Sequence, residues 1–292
     1  MSIFEGSAVA LVTPFTQEGI HFDALKRLLD FQLDNGTDAL VICGTTGEPA
    51  TMTVEEKHAV MQTAIQHVAG RRPVILGTGG NNTAAVIRES KYAEDLGADA
   101  LLIVTPYYNK CSQEGLLRHY FAIAEQTALP IILYNVPGRT GVNLLPATAA
   151  RLAEHPRLAA IKEASGNISQ IAETIRLTRG RMDIYSGNDD QTLPILALGG
   201  KGVISVSANV IPRIMHDICA LYLSGKTDEA RDLFLEYNPL NLALFTDVNP
   251  IPVKTALNHM GFAAGPLRLP LCEMSQAAEA ALTETLRRYS LI

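Results

Sequence analysis

The sequence predicts a (β/α)8 barrel, the TIM-barrel architecture, from three observations. There are eight short apolar runs, amphipathic segments lie between them, and nearly every run ends in turn or polar residues. The runs span residues 7–14, 39–47, 73–80, 100–108, 130–138, 159–166, 183–189 and 202–209, and they start 19 to 34 residues apart. Most are rich in Val, Ile and Leu without polar alternation, the pattern of parallel strands covered on both faces. Residues 22–35 place Leu25, Leu28, Leu29 and Leu33 near one helical face. Thr53-Val-Glu-Glu56 reads as a capping box that opens the next helix. Residues 83–96, 112–127 and 168–179 are amphipathic in the same way. Repeated strand–helix units imply a parallel sheet. Eight units favour closure, which puts the functional site where the strands end at their C-terminal side. The competing architecture is an open doubly wound sheet, and no run is followed by the GxGxxG fingerprint. Past about Leu223 the apolar runs stop, and residues 228–247, 252–260 and 273–289 look helical. The expected organisation is a barrel over residues 1–224 and a helical region over 225–292, the latter an added layer or a subunit contact.

Composition narrows the function. The chain has 292 residues, 47% of them hydrophobic and 18% charged, as in an ordinary globular protein with one large core. A net charge of −6 with no basic stripe argues against nucleic-acid binding. No apolar stretch is long enough to span a membrane. The first residues lack a basic segment followed by an apolar one, so a cytoplasmic protein is expected. Cys43, Cys111, Cys219 and Cys272 are widely spaced with no CxxC, which suits reduced thiols. The seven histidines form neither HxH nor HExxH, and no metal site is expected.

The chemistry gathers at the ends of the runs. Lys162 lies in Leu158-Ala-Ala-Ile-Lys162-Glu-Ala-Ser-Gly166. Burying an unpaired ammonium is costly, and such a lysine can give up its proton instead. A neutral amine forms Schiff bases with ketones. A lone lysine at a strand end is ordinarily a surface residue, but the preceding run supplies Tyr134 and, after a Pro-Gly turn, Arg139. Amine, phenol and guanidinium at neighbouring strand ends make a pocket for a keto acid, with arginine suited to bidentate carboxylate capture. The second run ends Cys43-Gly-Thr45-Thr46-Gly-Glu48, where two hydroxyls between glycines can bind a carboxylate. The fourth ends Thr105-Pro-Tyr107-Tyr108-Asn109. The seventh and eighth offer Ser186-Gly187, where a glycine lets a small ligand approach the backbone, and Ile204-Ser205.

Taken together, Gly44-Thr-Thr-Gly-Glu48, Thr105-Pro-Tyr-Tyr-Asn109, Tyr134-Asn-Val-Pro-Gly-Arg-Thr-Gly141, Ile161-Lys-Glu-Ala-Ser-Gly166 and Asn249-Pro-Ile-Pro-Val-Lys254 resemble the dihydrodipicolinate synthase family of pyruvate-dependent class I aldolases. The resemblance runs from Gly6 to the C-terminus. It implies condensation of pyruvate with L-aspartate 4-semialdehyde in the diaminopimelate branch of lysine biosynthesis, with no metal or organic cofactor. It implies Lys162 as the Schiff-base lysine and Tyr134 as the acid/base group. Thr45 would link Tyr134 to Tyr108, which comes from a neighbouring subunit of a homotetramer built as a dimer of dimers. Thr46 and the backbone of Ile204 would hold pyruvate, and Arg139 would hold the carboxylate of the semialdehyde. The alternatives are N-acetylneuraminate lyase or a keto-deoxy-sugar-acid aldolase, which generally lack an arginine at this position, and a non-catalytic keto-acid-binding barrel. Lysine-inhibited members carry histidines near the start of the second helix and a glutamate in the third. Val54, Lys57 and Ala85 stand there, with Asn81 and Tyr107 retained, so weak or absent inhibition by L-lysine is expected.

Overall fold

The computed structural model describes residues 2–292. Eight parallel strands close into a barrel in sequence order: β1 (Gly6–Ala10), β2 (Ala39–Ile42), β3 (Val74–Gly77), β4 (Ala100–Val104), β5 (Ile131–Asn135), β6 (Leu158–Glu163), β7 (Asp183–Ser186) and β8 (Gly202–Ser205). The seam is made by β8 pairing with β1, Gly6 opposite Gly202 and Ala8 opposite Ile204. Every apolar run coincides with a strand, β1 and β6 beginning one residue ahead of theirs. Each run outlasts its strand by several residues, and that overhang forms the barrel mouth.

The helices are α1 (Phe22–Asp34), α2 (Val54–Val68), α3 (Thr83–Asp95), α4 (Gln113–Ala124), the single turn α5 (Pro137–Thr140), α6 (Pro146–Leu152), α7 (Ile168–Thr178), α8 (Thr192–Ala197), α9 (Pro212–Leu223), α10 (Thr227–Ala243), α11 (Ile251–His259) and α12 (Gln276–Arg288). The capping box opens α2 as expected: Thr53 Oγ1 accepts from Glu56 N, and the Glu56 carboxylate accepts from Thr53 N. The helices α6 and α8 have seven and six residues, too few turns to show a helical period in the sequence.

Strand residues alternate between two cores. Ala8, Val41, Ile75, Leu102, Ile132, Tyr185 and Ile204 fill the barrel interior. Val9, Leu40, Leu76, Leu101, Leu133, Ile161 and Val203 pack outward against the helices. The Phe4 ring stacks on Tyr185 with centroids 4.2 Å apart, and the Tyr185 hydroxyl donates to the Phe4 carbonyl at 2.7 Å. Phe4 precedes β1, so this plug fills the N-terminal end and leaves the opposite mouth for chemistry. Among the described residues no helix is long and apolar enough to cross a membrane.

Candidate active site

Lys162 is the second-last residue of β6, paired in register with Tyr134 on β5 and Tyr185 on β7. It is 5% exposed, and no carboxylate among the described residues lies within ion-pair distance of its amine. Its Nζ instead sits 4.4 Å from the centroid of the Tyr134 ring. Burial pushes the ammonium pKa down to about 8, the charge of Asp189 pulls it up, and that of Arg139 pushes it further down. Near neutral pH a substantial fraction of this amine is therefore unprotonated and nucleophilic.

Tyr134 is also buried, and its phenol is pushed upward by desolvation, with Arg139 and the Thr45 hydroxyl acting in the opposite sense. Thr45 lies close enough to favour the phenolate, short of a formed hydrogen bond. Tyr134, Thr45 and Arg139 line a cavity of about 530 Å³ together with Val104, Val136 and Asn249. Lys162 lies one side chain in from this wall, against the Tyr134 ring. The short turn α5 carries Arg139 out to the rim, where its Nη2 donates to the Asn249 carbonyl at 3.0 Å. The turn itself is braced by Thr140, whose hydroxyl accepts from Thr105 and has the carbonyls of Val142 at 3.0 Å and Val136 at 3.2 Å as alternative acceptors for its one proton.

Gly187 follows β7 and packs closely on the end of β6. A Cβ there would stand 2.7 Å from the Ala164 Cβ and 3.2 Å from Lys162 Cε. The Glu163 carbonyl would lie at 3.1 Å, so the missing side chain lets β7 close on the end of β6 beside the Lys162 stem. Ile204 is fully buried in the same interior cluster as Tyr134. Asp189, two residues past Gly187, has no role in the sequence reading. It is 2% exposed, and its Oδ2 accepts from the backbone N–H groups of Val206 and Ser207 at 3.0 Å each. Burial raises its pKa against these hydrogen bonds. It is the carboxylate whose charge reaches Lys162.

Thr45 and Thr46 belong to a single 3-10 turn that follows β2. Glu48 ends the turn at φ 55°, a left-handed backbone held in place by its partners. Glu48 Oε1 accepts from Lys254 Nζ at 2.8 Å, and Oε2 accepts from Arg268 N at 3.2 Å. Lys254 also donates to the Pro266 carbonyl at 2.7 Å. Arg268 grips Glu56 with both Nη atoms, and both cations lie over the Phe15 ring. The sequence showed Glu48 and Lys254 at the ends of two motifs, but their pairing spans 206 residues and has no local signature.

Tyr108 stands apart. It is 90% exposed with φ 69°, and it does not line the cavity of its own chain. Asn81, Tyr107, Lys57 and Ala85 line an extension of that cavity between the β2 loop and α3, while Val54 is half exposed at the start of α2. Among the described residues no cluster of three His, Cys, Asp or Glu side chains is placed to hold a metal.

A barrel with an unpaired, desolvated lysine at the end of its sixth strand and a tyrosine against it defines a Schiff-base aldolase-type site. Residues 3–289 match the model of the dihydrodipicolinate synthetase family, and the chain belongs to that family. It is 54% identical to 4-hydroxy-tetrahydrodipicolinate synthase 1 of Clostridium acetobutylicum over all of both chains. It superimposes on the dihydrodipicolinate synthase of Thermotoga maritima with a TM-score of 0.98 at 45% identity, each chain fully covered. The enzyme from Cyanidioschyzon merolae, solved with lysine bound, gives a TM-score of 0.97 at 39% identity, again with both chains fully covered.

Proposed function

We propose that this chain condenses pyruvate with L-aspartate 4-semialdehyde to 4-hydroxy-tetrahydrodipicolinate, the step that commits carbon to diaminopimelate and lysine. The observation that carries this reading is Lys162: buried, without a carboxylate partner, lowered to about 8, and set against Tyr134. The neutral amine attacks the ketone carbon of pyruvate, and loss of water gives a protonated imine. That imine is an electron sink, so a methyl proton leaves and an enamine forms. The enamine carbon attacks the aldehyde carbon of the second substrate, and the resulting alkoxide takes a proton. The amine of that substrate then adds to the imine carbon, expels Lys162 and closes a six-membered ring.

Tyr134 is read as the group that gives and takes these protons, with Thr45 as its link outward. The Thr46 hydroxyl and the Ile204 backbone hold the pyruvate carboxylate. Gly187, with no side chain, is read as letting the keto acid approach the backbone beside Lys162. Arg139 at the rim takes the carboxylate of the semialdehyde, a charge-assisted contact absent from a sugar-acid aldolase site. Tyr108, turned outward on its own chain, is read as completing the relay of a second copy in a homotetramer, with the enzyme working in the cytoplasm. The deciding assay supplies purified protein with pyruvate and either aspartate semialdehyde or a sugar aldehyde. The expected result is turnover with the semialdehyde; faster condensation with the sugar aldehyde would overturn the assignment.

A further inference from the structure

We propose that Asn249 is a positioning residue that fixes the Thr46 hydroxyl as a hydrogen-bond donor toward the keto acid's carboxylate. The inference rests on the reading of Thr46 as a pyruvate ligand given above. Asn249 is 7% exposed, lines the cavity, and reaches both halves of the site. Its Nδ2 donates to Thr46 Oγ1 at 3.0 Å, and its carbonyl accepts from Arg139 Nη2 at 3.0 Å. Thr46 is itself 2% exposed, and no acceptor among the described residues takes its hydroxyl proton.

The chemistry follows from the inventory of donors and acceptors. A hydroxyl carries one proton and two lone pairs, an amide NH2 can only donate, and an ionised carboxylate can only accept. The Asn249 amide therefore occupies a lone pair of Thr46 and leaves its O–H to point elsewhere. A carboxylate in the pocket meets a proton. With the amide reversed, Asn249 Oδ1 would take that proton and Thr46 would turn a lone pair toward the substrate's negative charge. With Nδ2 toward Thr46, Asn249 Oδ1 is buried without a partner among the described residues. That orphaned acceptor costs stability, so the amide orientation is part of the proposal, and Asn249→Asp tests it. The two segments are held in register nearby, because Lys254, five residues past Asn249, forms the buried ion pair with Glu48, two residues past Thr46. Asn249 thus acts through Thr46 and needs no contact with the keto acid.

The test is the pyruvate KM of Asn249→Ala, Asn249→Asp and Thr46→Val, and of each Asn249 change in the Thr46→Val background, with thermal melts as a check on folding. Asn249→Ala frees the hydroxyl to rotate and should raise the pyruvate KM roughly fivefold, the scale of one neutral hydrogen bond. Asn249→Asp keeps the shape but captures the Thr46 proton, and its KM should rise by roughly 30-fold or more, the scale of a contact to a charged group. In the Thr46→Val background Asn249→Ala should add less than about twofold, since the hydroxyl it directs is gone. The semialdehyde KM of Asn249→Ala should move less than about threefold, because the carbonyl that holds Arg139 is backbone. A purely shape-filling asparagine would make Asp milder than Ala, and that order overturns the proposal. So does an equal penalty for Asn249→Ala with and without Thr46. If Asn249→Ala does not fold, Asn249→Asp carries the test, and a pyruvate KM close to wild type overturns it. A normal pyruvate KM in Thr46→Val overturns the assignment of Thr46 and the inference with it, whereas a raised KM there with silent Asn249 variants overturns the inference alone.

Discussion

Two lysines are buried near the same barrel mouth, and their surroundings give them opposite uses. Lys254 is 1% exposed and has the Glu48 carboxylate at 2.8 Å, the Pro266 carbonyl at 2.7 Å and the Phe15 ring beneath it. Burial lowers its pKa, but the Glu48 charge and hydrogen bond oppose the shift. Its contacts to Glu48 and Pro266 tie the C-terminal helices to the β2 loop. Lys162 is 5% exposed and has an aromatic ring where Lys254 has a carboxylate. Its nearest influential anion, Asp189, is committed to two backbone N–H groups. Burial alone does not make a nucleophile; burial without a paired carboxylate does.

Substituting each lysine should separate the two roles most sharply. Lys162→Ala should lower kcat by roughly 10³-fold or more, the scale of losing a covalent nucleophile. Its melting temperature should hold or rise, since a desolvated amine is removed. Lys254→Ala leaves Glu48 buried and unpaired, and should cost roughly 3–5 kcal/mol of stability. Denaturant titration and kcat measured on both variants decide the matter. A stable Lys254→Ala protein, or an active Lys162→Ala protein, would break the contrast.

Tyr134 is the ring that replaces a carboxylate beside Lys162. Tyr134→Phe keeps that ring and removes the proton, so kcat should fall by about 10²–10⁴ with the fold unchanged. Arg139 works at the rim. Arg139→Ala should raise the semialdehyde KM by roughly 10- to 100-fold, as expected for a lost charge-assisted contact, with a much smaller effect on pyruvate. Equal effects on both substrates would mean that Arg139 merely supports the loop.

The lowered pKa of Lys162 gives imine formation a pH signature. The rate of imine formation should drop roughly tenfold per unit as pH falls below about 8 and level off above it. The same group sets a stability trend. Folded Lys162 loses its proton near 8, while the unfolded value is 10.5, so between these pH values the unfolded chain binds more protons. Its contribution to stability therefore rises with pH across that window. A pyruvate-trapping rate flat from pH 6 to 9 would contradict the assignment of about 8.

A third lysine, Lys57, brings the smallest expected effect. It lines the cavity extension with Asn81, Ala85 and Tyr107, where a bound diamine would meet a like charge. Millimolar L-lysine should change the steady-state rate by less than about twofold, since an effector needs favourable contacts in one state to act. Strong saturable inhibition would show that the pocket accommodates the cation.

The barrel was legible because parallel strands buried on both faces are written as unbroken apolar runs, and all eight overhangs fall at one mouth. Lys162 and Tyr134 drew attention as polar residues closing neighbouring apolar runs, and the fold sets them side by side, with Arg139 on the turn that follows β5. The close packing of Gly187 on Ala164 and the Glu163 carbonyl was not legible, since a glycine next to a turn does not say which neighbour crowds it. Asp189 was hidden among Asn188-Asp-Asp190, where only the fold shows which carboxylate turns inward. Asn249 and the Glu48–Lys254 pair were hidden by distance, because contacts 203 and 206 residues apart leave no period or spacing. For the same reason the sequence does not show that residues 249–268, within the region read as an added layer or a subunit contact, brace the loops that carry Thr46 and Arg139.

The central claim is that Lys162, and not the better-paired Lys254, is the amine that bonds to pyruvate. Treating the protein with pyruvate and borohydride, then mapping the modified peptide by mass spectrometry, measures this directly. The account predicts one reduced pyruvate adduct per chain, on Lys162, its rate following the unprotonated fraction of an amine near 8. An adduct on Lys254 or Lys201, or no adduct at all, would contradict it.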